Sequence, residues 1–134
     1  MAKLTTIEGI ADTLAEKLKK AGVGSVESLL KKGGTPAGRK EIVAKSGIDD
    51  KRILRFVNHA DLMRIKGIGG EYSELLEAAG VDTVVELGTR KPENLHAKMV
   101  EVNAAKKLVR QLPTLAAITD WCKQAKGLPR AVNY

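Results

Sequence analysis

An internal repeat constrains the fold of this chain more than any other feature of its sequence. When the sequence is shifted by 58 positions, the 26 residues from Leu4 to Leu29 align with those from Leu62 to Leu87 with 11 identities. Average composition predicts about two identities by chance. Leu, Ile, Gly and Ile coincide at the start of each copy, and Ala-Gly-Val coincides further along. The chain therefore contains two related units, each about 55 to 60 residues long.

Apolar residues recur in both copies at the spacing of an amphipathic helix. In the first copy this pattern predicts a helix from Ala11 to Ala21 that stops at Gly22, and the second copy repeats it before Gly80. Ser25 and Thr83 lie where short second helices need N-caps. No segment alternates between apolar and polar residues for long enough to form a strand. The sequence therefore predicts an all-α fold.

Other start and stop signals predict further helices and the arrangement of the chain. The signals are Thr35-Pro36 with a stop at Gly47, Asp49 as the cap of a longer helix, Pro92 with a candidate restart at Asn103 toward Leu112, and Pro113-Thr114 before a last helix. We expect two units, 1–60 and 61–134, packed as one pseudo-symmetric compact domain. The tail from Leu128 to Tyr134 lacks a helical pattern, and we expect it either to dock over the last helix or to engage a partner.

Positive charge is concentrated in the first half of the chain. Residues 1–66 contain 14 basic and 8 acidic side chains, a net charge of +6, whereas residues 67–134 contain 9 and 8, a net charge of +1. The segment from Gly67 to Gly88 has five acidic residues and no Lys or Arg. A polyanion is therefore expected to prefer the first half. The alternative is that the basic residues only form solvated helix faces.

A glycine-rich segment, Ile65-Lys66-Gly67-Ile68-Gly69-Gly70, joins two predicted helices. Glycines leave the backbone bare, and the first-turn amides of the following helix have no intrahelical partner, so a phosphate can approach them closely. The segment resembles the helix-hairpin-helix motif, which reads apolar, any residue, Gly, apolar, Gly. The resemblance implies phosphate donors at the amides of Gly67, Gly69, Glu71 and Tyr72, and in some members a monovalent cation on hairpin carbonyls, here those of Met63, Ile65 and Ile68.

Both copies depart from that motif. The first copy has Ala11 in place of the second glycine and Asp12 beside the expected phosphate, and the second copy has Glu71 in the first turn of its helix. The wider chain is similar to a bacterial family of tandem helix-hairpin-helix proteins of unassigned function, through the segments 60–69, 92–98 and 128–130. This similarity covers nearly the whole chain, and it implies the architecture rather than an activity.

The leading interpretation is sequence-independent binding of duplex nucleic acid, in which hairpin amides set the position and basic helix faces supply charge. The candidate contacts are Gly9, Ile10, Ala11, Lys17, Lys19, Lys20, Arg39, Lys40, Lys45, Lys51, Arg52, Arg55, Lys66, Gly67, Ile68, Gly69 and Gly70. The alternative is a protein–protein adaptor that meets its partner through the acidic helix at 71–77 or through the tail. In that case the hairpins only turn the chain so that helices pack.

No catalytic, metal or cofactor site is expected. His59, His96 and Cys122 form no base–nucleophile pattern, and two His with one Cys do not supply a structural zinc site. Cys122 is expected to be a buried thiol. No segment reaches the roughly 18 apolar residues of a membrane span, and residues 1–6 are too short and polar for a signal peptide. We therefore expect a cytoplasmic protein that is not an enzyme.

Overall fold

The computed structural model describes residues 2–134, and this part of the chain is all-α. The described residues form one 3-10 turn (Leu4–Thr6), eight α-helices and no strand. The helices are α1 (Asp12–Lys20), α2 (Val26–Gly33), α3 (Pro36–Ser46), α4 (Asp50–Leu62), α5 (Gly70–Ala78), α6 (Val84–Leu87), α7 (Pro92–Lys106) and α8 (Leu115–Lys126). The predicted all-α class is therefore confirmed. Within residues 2–134, no helix combines the length and the apolar character needed to cross a bilayer.

Most helix starts follow local capping signals. The hydroxyl groups of Ser25, Thr35, Thr83 and Thr114 each accept a hydrogen bond from the amide three residues later, at 3.1–3.3 Å. Asp49 Oδ2 likewise accepts from the Arg52 amide at 3.1 Å, ahead of α4. These bonds satisfy first-turn amides that have no partner within the helix. The N-caps predicted at Ser25, Thr35, Asp49 and Thr83 are confirmed.

The predicted restart at Asn103 is wrong, because α7 runs through this residue without a break. The helix ends at Lys106, and Lys107 takes a left-handed conformation with φ of 52°. The Asn103 side chain then bridges the following loop. Its Oδ1 accepts from the Val109 amide at 3.0 Å, and its Nδ2 donates to the Val109 carbonyl at 3.2 Å. Asn103 thus stabilises the turn out of α7 rather than the start of another helix.

The chain divides into two compact units. Unit 1 comprises Met1–Asp61 and Ala131–Tyr134, and unit 2 comprises Leu62–Arg130. The division expected from the sequence, 1–60 and 61–134, differs at Asp61 and at the last four residues. These dock on unit 1 rather than over α8: Val132 is buried, and the Asn133 amide donates to the Gly34 carbonyl at 2.8 Å. Gly34 directly follows α2, so the tail is held at the end of that helix by a backbone hydrogen bond.

The repeated segments share their hydrogen bonds as well as their residues. At the end of α1, the Val23 amide donates to the Leu18 carbonyl at 2.9 Å, and at the end of α5 the Val81 amide donates to the Leu76 carbonyl at the same distance. This 6→1 bond closes a helix C-terminus around a glycine. The local structure is therefore repeated, whereas the pseudo-symmetric packing of the two units stays a prediction.

Each unit buries apolar side chains of its own. In unit 2 the buried cluster is Leu62, Ile65, Ile68, Leu75, Leu76, Ala79, Val81, Val84, Leu87, Leu95, Met99, Val109, Ile118, Trp121, Cys122 and Ala125. In unit 1 the buried apolar residues include Leu4, Ile7, Ile10, Leu18, Val23, Val26, Leu29, Ile42, Ile48, Ile53, Phe56 and Val57. The hairpin isoleucines of both copies are therefore part of the packed interior, and the buried thiol predicted at Cys122 is confirmed.

Candidate functional site

The hairpin of unit 2 is a tight turn between α4 and α5. The Ile65 amide donates to the Leu62 carbonyl at 3.1 Å, and the Ile68 amide donates to the Ile65 carbonyl at 3.2 Å. Gly67 has φ of 101°, in the region that favours glycine. A Cβ on Gly67 would lie 2.8 Å from Nε1 of Trp121. Gly67 is therefore required by both the backbone conformation and the close approach of the indole.

Helix α8 holds this hairpin in place. The Gln124 side chain bonds both backbone groups of Lys66. Its Oε1 accepts from the Lys66 amide at 2.9 Å, and its Nε2 donates to the Lys66 carbonyl at 3.2 Å. The Trp121 ring packs against Tyr72 in the first turn of α5, with ring centroids 5.3 Å apart. The Lys66 backbone is thus fixed, while its side chain is exposed. The turn has a defined geometry before any ligand is bound.

A concave pocket of about 420 Å³ lies at the start of α5. It is lined by Gly67, Gly69, Gly70, Glu71, Tyr72, Arg110 and Gln111. Gly69 is the N-cap of α5 and offers no side-chain acceptor, so the first-turn amides are not capped by it. These amides, the positive end of the helix dipole and the Arg110 guanidinium favour an anion in the pocket, whereas the Glu71 carboxylate opposes it.

Arg110 lines this pocket although no motif in the sequence predicts it there. It is about 40 positions away from the hairpin, in the loop after α7, and it is brought to the pocket by two bonds. Asn103 closes that loop, and the Tyr72 hydroxyl donates to the Gln111 carbonyl at 3.0 Å. Among residues 2–134, Arg110 has no hydrogen-bonded or ion-pair partner. The only sequence signal was a short basic run after α7, which no local motif connects to the hairpin.

The hairpin of unit 1 repeats this turn with different side chains. Gly9 has φ of 97°, and a Cβ there would lie 3.3 Å from Cε1 of Phe56 and 3.9 Å from Nη1 of Arg55. Ala11 is the N-cap of α1 and Asp12 is its first residue. Each hairpin glycine thus packs on an aromatic ring and has an arginine in its neighbourhood. Unit 1, however, has the methyl group of Ala11 at the helix start, and its first-turn carboxylate is Asp12 instead of Glu71.

Ile10 and Ile68 are part of the turns rather than available donors. Both side chains are buried, and both amides donate to carbonyls within their own hairpin, Ile10 to Ile7 at 3.1 Å and Ile68 to Ile65 at 3.2 Å. Their N–H groups are therefore not available to a phosphate. Gly70 is also buried, and its carbonyl accepts from the Ser73 hydroxyl at 2.9 Å, although its position in the first turn leaves its amide without an intrahelical partner.

Lys17, Lys19 and Lys20 do not lie beside the hairpin of unit 1. They occupy the last turn of α1, whereas the hairpin leads into its first turn, about 12 Å away along the helix axis. All three side chains are exposed around the buried Leu18. Lys19 lies 3.9 Å from Glu16 in an exposed pair, which contributes little. The lysines and the hairpin amides of unit 1 therefore present charge at opposite ends of one helix.

Several of the basic residues from Arg39 to Arg55 are bonded to other groups of unit 1. Arg39 donates to the carbonyls of Gly33 at 2.9 Å and Asn133 at 2.7 Å, so it holds the tail. Lys45 pairs with Glu41 and Arg52 with Asp49. Their hydrogen bonds hold the pKa values of the Glu41 and Asp49 carboxyl groups below the ordinary range.

The open members of this group lie along a groove of unit 1. Lys40 and Lys51 are exposed and line a concavity of about 640 Å³ together with Pro36, Val43 and Leu54. Asp49 and Asp50 line the same groove, so its charge is mixed. The sequence places six basic residues in one group; in the structure Lys40 and Lys51 line this groove, while Lys45 and Arg52 are exposed in ion pairs.

The remaining chemistry-bearing residues are interior or dispersed. His59 and Cys122 are buried, and burial raises the pKa of the Cys122 thiol. Within residues 2–134, no group of three or more His, Cys, Asp or Glu side chains could hold a metal ion.

The fold and these hairpins define an all-α protein built on a duplicated glycine turn. Residues 8–128 match the family model described as a domain of unknown function (DUF4332), and the chain belongs to this family. No curated protein and no solved structure matches the chain.

Proposed function

We propose that this chain is a tandem helix-hairpin-helix protein of the cytoplasm that binds duplex nucleic acid without sequence preference and without catalysis. The observation that carries the proposal is the pocket at the start of α5, where hairpin glycines and Arg110 line one concavity. Backbone amides at a helix start and a guanidinium are both phosphate-binding groups. Contacts to phosphates position a protein on a duplex but carry no sequence information.

Gly69 supports a ligand-related role for this pocket. Unlike Gly67, it has an ordinary φ of −107°, and a Cβ there would have no neighbour within 4 Å. Ala11 occupies the aligned position of unit 1 with a similar φ of −95°. The turn therefore tolerates a side chain at this position. A glycine there leaves the backbone of the pocket open to a ligand.

Exposed lysines and arginines supply the long-range attraction in this proposal. The pairs of Lys45 with Glu41 and of Arg52 with Asp49 are exposed, so they cost little to exchange for a phosphate. Lys17, Lys20, Lys40 and Lys51 are also exposed. Each phosphate neutralised by a cation releases counterions, and affinity must therefore fall steeply as salt rises. Glu71 opposes binding at the pocket itself.

Gly69→Asp tests the pocket without weakening the fold. An aspartate at the N-cap accepts hydrogen bonds from the first-turn amides and places a negative charge where the phosphate is proposed. We expect affinity for a random duplex at low salt, measured by fluorescence anisotropy, to fall by about tenfold or more. The thermal midpoint is expected to stay level or to rise, because a cap is gained.

Gly24→Asp is the matched control. Gly24 also has open space around its Cβ direction, and the substitution changes the net charge by the same amount. We expect this variant to lose clearly less affinity than Gly69→Asp. The pocket is excluded if the two variants lose affinity equally, and the proposal as a whole fails if the wild-type chain does not retain duplex at low salt.

A protein–protein adaptor is the second candidate, and one observation favours it. Gly9 and Gly67 each pack against an aromatic ring of their own unit. Packing therefore explains these glycines without a ligand. In this case the partner would meet the acidic helix α5, since the tail is already docked on unit 1 through Asn133. Absence of duplex binding, together with capture of a basic partner that is lost in a Glu71→Lys variant, would favour this candidate.

A further inference from the structure

A second concave pocket lies in unit 1, away from the groove between α3 and α4. It has a volume of about 450 Å³ and is formed where the end of α1 meets α2 and α3. Its charged lining consists of Lys20, Lys32, Lys45 and Glu41, and Gly22 and Gly38 contribute backbone. Three ammonium groups and one carboxylate therefore share one cavity, which leaves two positive charges without a counter-charge in its lining.

Two of the three ammonium groups have a hydrogen-bonded partner in unit 1. Lys32 Nζ donates to the Gly22 carbonyl at the end of α1, and Lys45 Nζ donates to Glu41 Oε1 at 2.7 Å. The backbone beneath Lys32 is packed tightly, because a Cβ on Gly38 would lie 1.8 Å from the Lys32 carbonyl oxygen. Lys32 is thereby tied to the backbone of unit 1, whereas Lys45 is held by an exposed ion pair and Lys20 is exposed.

Unit 2 has the same bond between a cation and the carbonyl after the first helix of the repeat, but its cation is paired with a carboxylate. Arg90 aligns with Lys32 and likewise donates to the carbonyl after its helix, that of Gly80, at 2.8 Å. There, however, Arg90 also lies 3.3 Å from Glu86. Unit 1 has Ser28 at the position of Glu86, and unit 2 has Ala78 at the position of Lys20. Both copies of the repeat thus have a cation on this carbonyl. The additional positive charge of unit 1 is not needed to form that turn.

We propose that the pocket of Lys20, Lys32 and Lys45 binds a compact phosphate anion of at least two negative charges, such as pyrophosphate. Lysine ammonium groups bind phosphate oxygens as point charges, and a cavity raises the local potential over that of a flat surface. The Glu41 carboxylate opposes an anion in this cavity, so the ligand must carry enough negative charge to offset it. The inference does not depend on duplex binding, because the cavity is complete within unit 1.

Isothermal titration of the full chain with pyrophosphate at low salt tests this site. We expect a single site of millimolar or tighter affinity, weakened about tenfold in Lys20→Met. Lys20 is suited to the test because it is exposed at a helix end, whereas Lys32 also holds the turn of Gly22. The matched control is Lys123→Met, which removes an exposed lysine from the last turn of α8. We expect the control to leave pyrophosphate affinity unchanged.

The proposal is overturned if pyrophosphate does not bind, or if Lys20→Met and Lys123→Met have the same effect. A second titration distinguishes the sources of the phosphate. If a duplex of about 20 base pairs displaces pyrophosphate, a backbone phosphate occupies the pocket. If pyrophosphate binds equally well in the presence of duplex, the ligand is a free phosphate compound. Either result supports the site, and neither depends on the hairpin pocket at Gly69.

Discussion

The two hairpins show which features of the repeat belong to the fold and which vary independently of it. Gly9 and Gly67 have nearly equal φ values, 97° and 101°, and each lies against an aromatic ring, Phe56 or Trp121. Two residues later the copies diverge, with Ala11 in one and Gly69 in the other, although the backbone conformation is similar. Where backbone and packing demand glycine, both copies keep it. Where they do not, only unit 2 has it.

The two units differ in where their charged side chains lie relative to the hairpin. The net charges are similar, +4 in unit 1 and +3 in unit 2, but the lysines on α1 of unit 1 lie at the opposite end of the helix from its hairpin. Unit 2 has the open hairpin and an acidic helix, but Arg110 contributes a positive charge to the lining of its pocket. The sequence suggests that unit 2 has the glycines without the charge. The structure changes this interpretation, because one arginine at the pocket acts more strongly on a phosphate there than several lysines at a distance.

The largest expected effect comes from adding a methyl group to each hairpin glycine. Gly67→Ala combines a strained φ with a contact of 2.8 Å to the Trp121 ring, and we expect a loss of about 2–4 kcal/mol in the free energy of unfolding. Gly9→Ala has the same strain but a looser contact of 3.3 Å to Phe56, so the expected loss is about 1–2 kcal/mol. Chemical denaturation followed by circular dichroism measures both values.

A double variant separates backbone strain from the clash with the indole. Trp121→Phe removes the nitrogen nearest to the new Cβ, so Gly67→Ala should cost less in this background than in the wild type. Gly69→Ala serves as a control with open space and an ordinary φ. Equal losses for Gly9→Ala and Gly67→Ala would show that the aromatic contact does not distinguish the two hairpins.

Local signals account for most of the fold that the sequence predicted. Capping hydroxyl groups at Ser25, Thr35 and Thr83 act within three residues, so their effect can be recognised in any short segment. The end of α7 was predicted incorrectly because Asn103 is compatible with both a cap and a loop bridge. Its partner Val109, which decides between the two, is identified only in the folded chain.

The parts of the candidate site that the sequence did not predict depend on long-range contacts. Arg110 reaches the hairpin pocket because the Tyr72 hydroxyl bonds the Gln111 carbonyl, about 40 residues away. Arg39 was assigned to a phosphate, but it holds the backbone of Asn133 near the end of the chain. Neither pairing leaves a periodic or local pattern. A sequence can indicate the charge of such a residue but not which carbonyl or pocket it meets.

A medium-sized effect tests whether the second helices of the two units depend equally on their caps. The Ser25 hydroxyl accepts from Ser28 at 3.1 Å and the Thr83 hydroxyl accepts from Glu86 at 3.3 Å, and both residues are buried. We expect Ser25→Ala and Thr83→Ala each to lower the free energy of unfolding by about 1 kcal/mol. The exchanges Ser25→Thr and Thr83→Ser keep the hydroxyl and should cost clearly less. A loss confined to one unit would contradict the equivalence of the repeated turns.

The smallest effect is a difference in pH dependence between the units. In unit 1, the pKa values of Glu41 and Asp49 are held below their ordinary values of 4.5 and 3.8 by Lys45 and Arg52. Their contribution to stability is therefore present above those values and is lost as pH falls through the lowered pKa values. In unit 2, burial raises the pKa of the Cys122 thiol above 9.0, so its contribution is present below that value and is lost as pH rises further.

Two substitutions assign these pH limits to their units. Asp49→Asn keeps an N-cap for α4 but removes the charge, and it should flatten the fall in stability below about pH 4. Cys122→Ala should flatten the fall above pH 9 without altering the acid side. Trp121 is the only tryptophan, so its fluorescence during denaturation reports on unit 2, and circular dichroism reports on both units. If Asp49→Asn leaves the acid dependence unchanged, the exposed pair with Arg52 makes no measurable contribution, and the acid limit of unit 1 lies in other carboxyl groups.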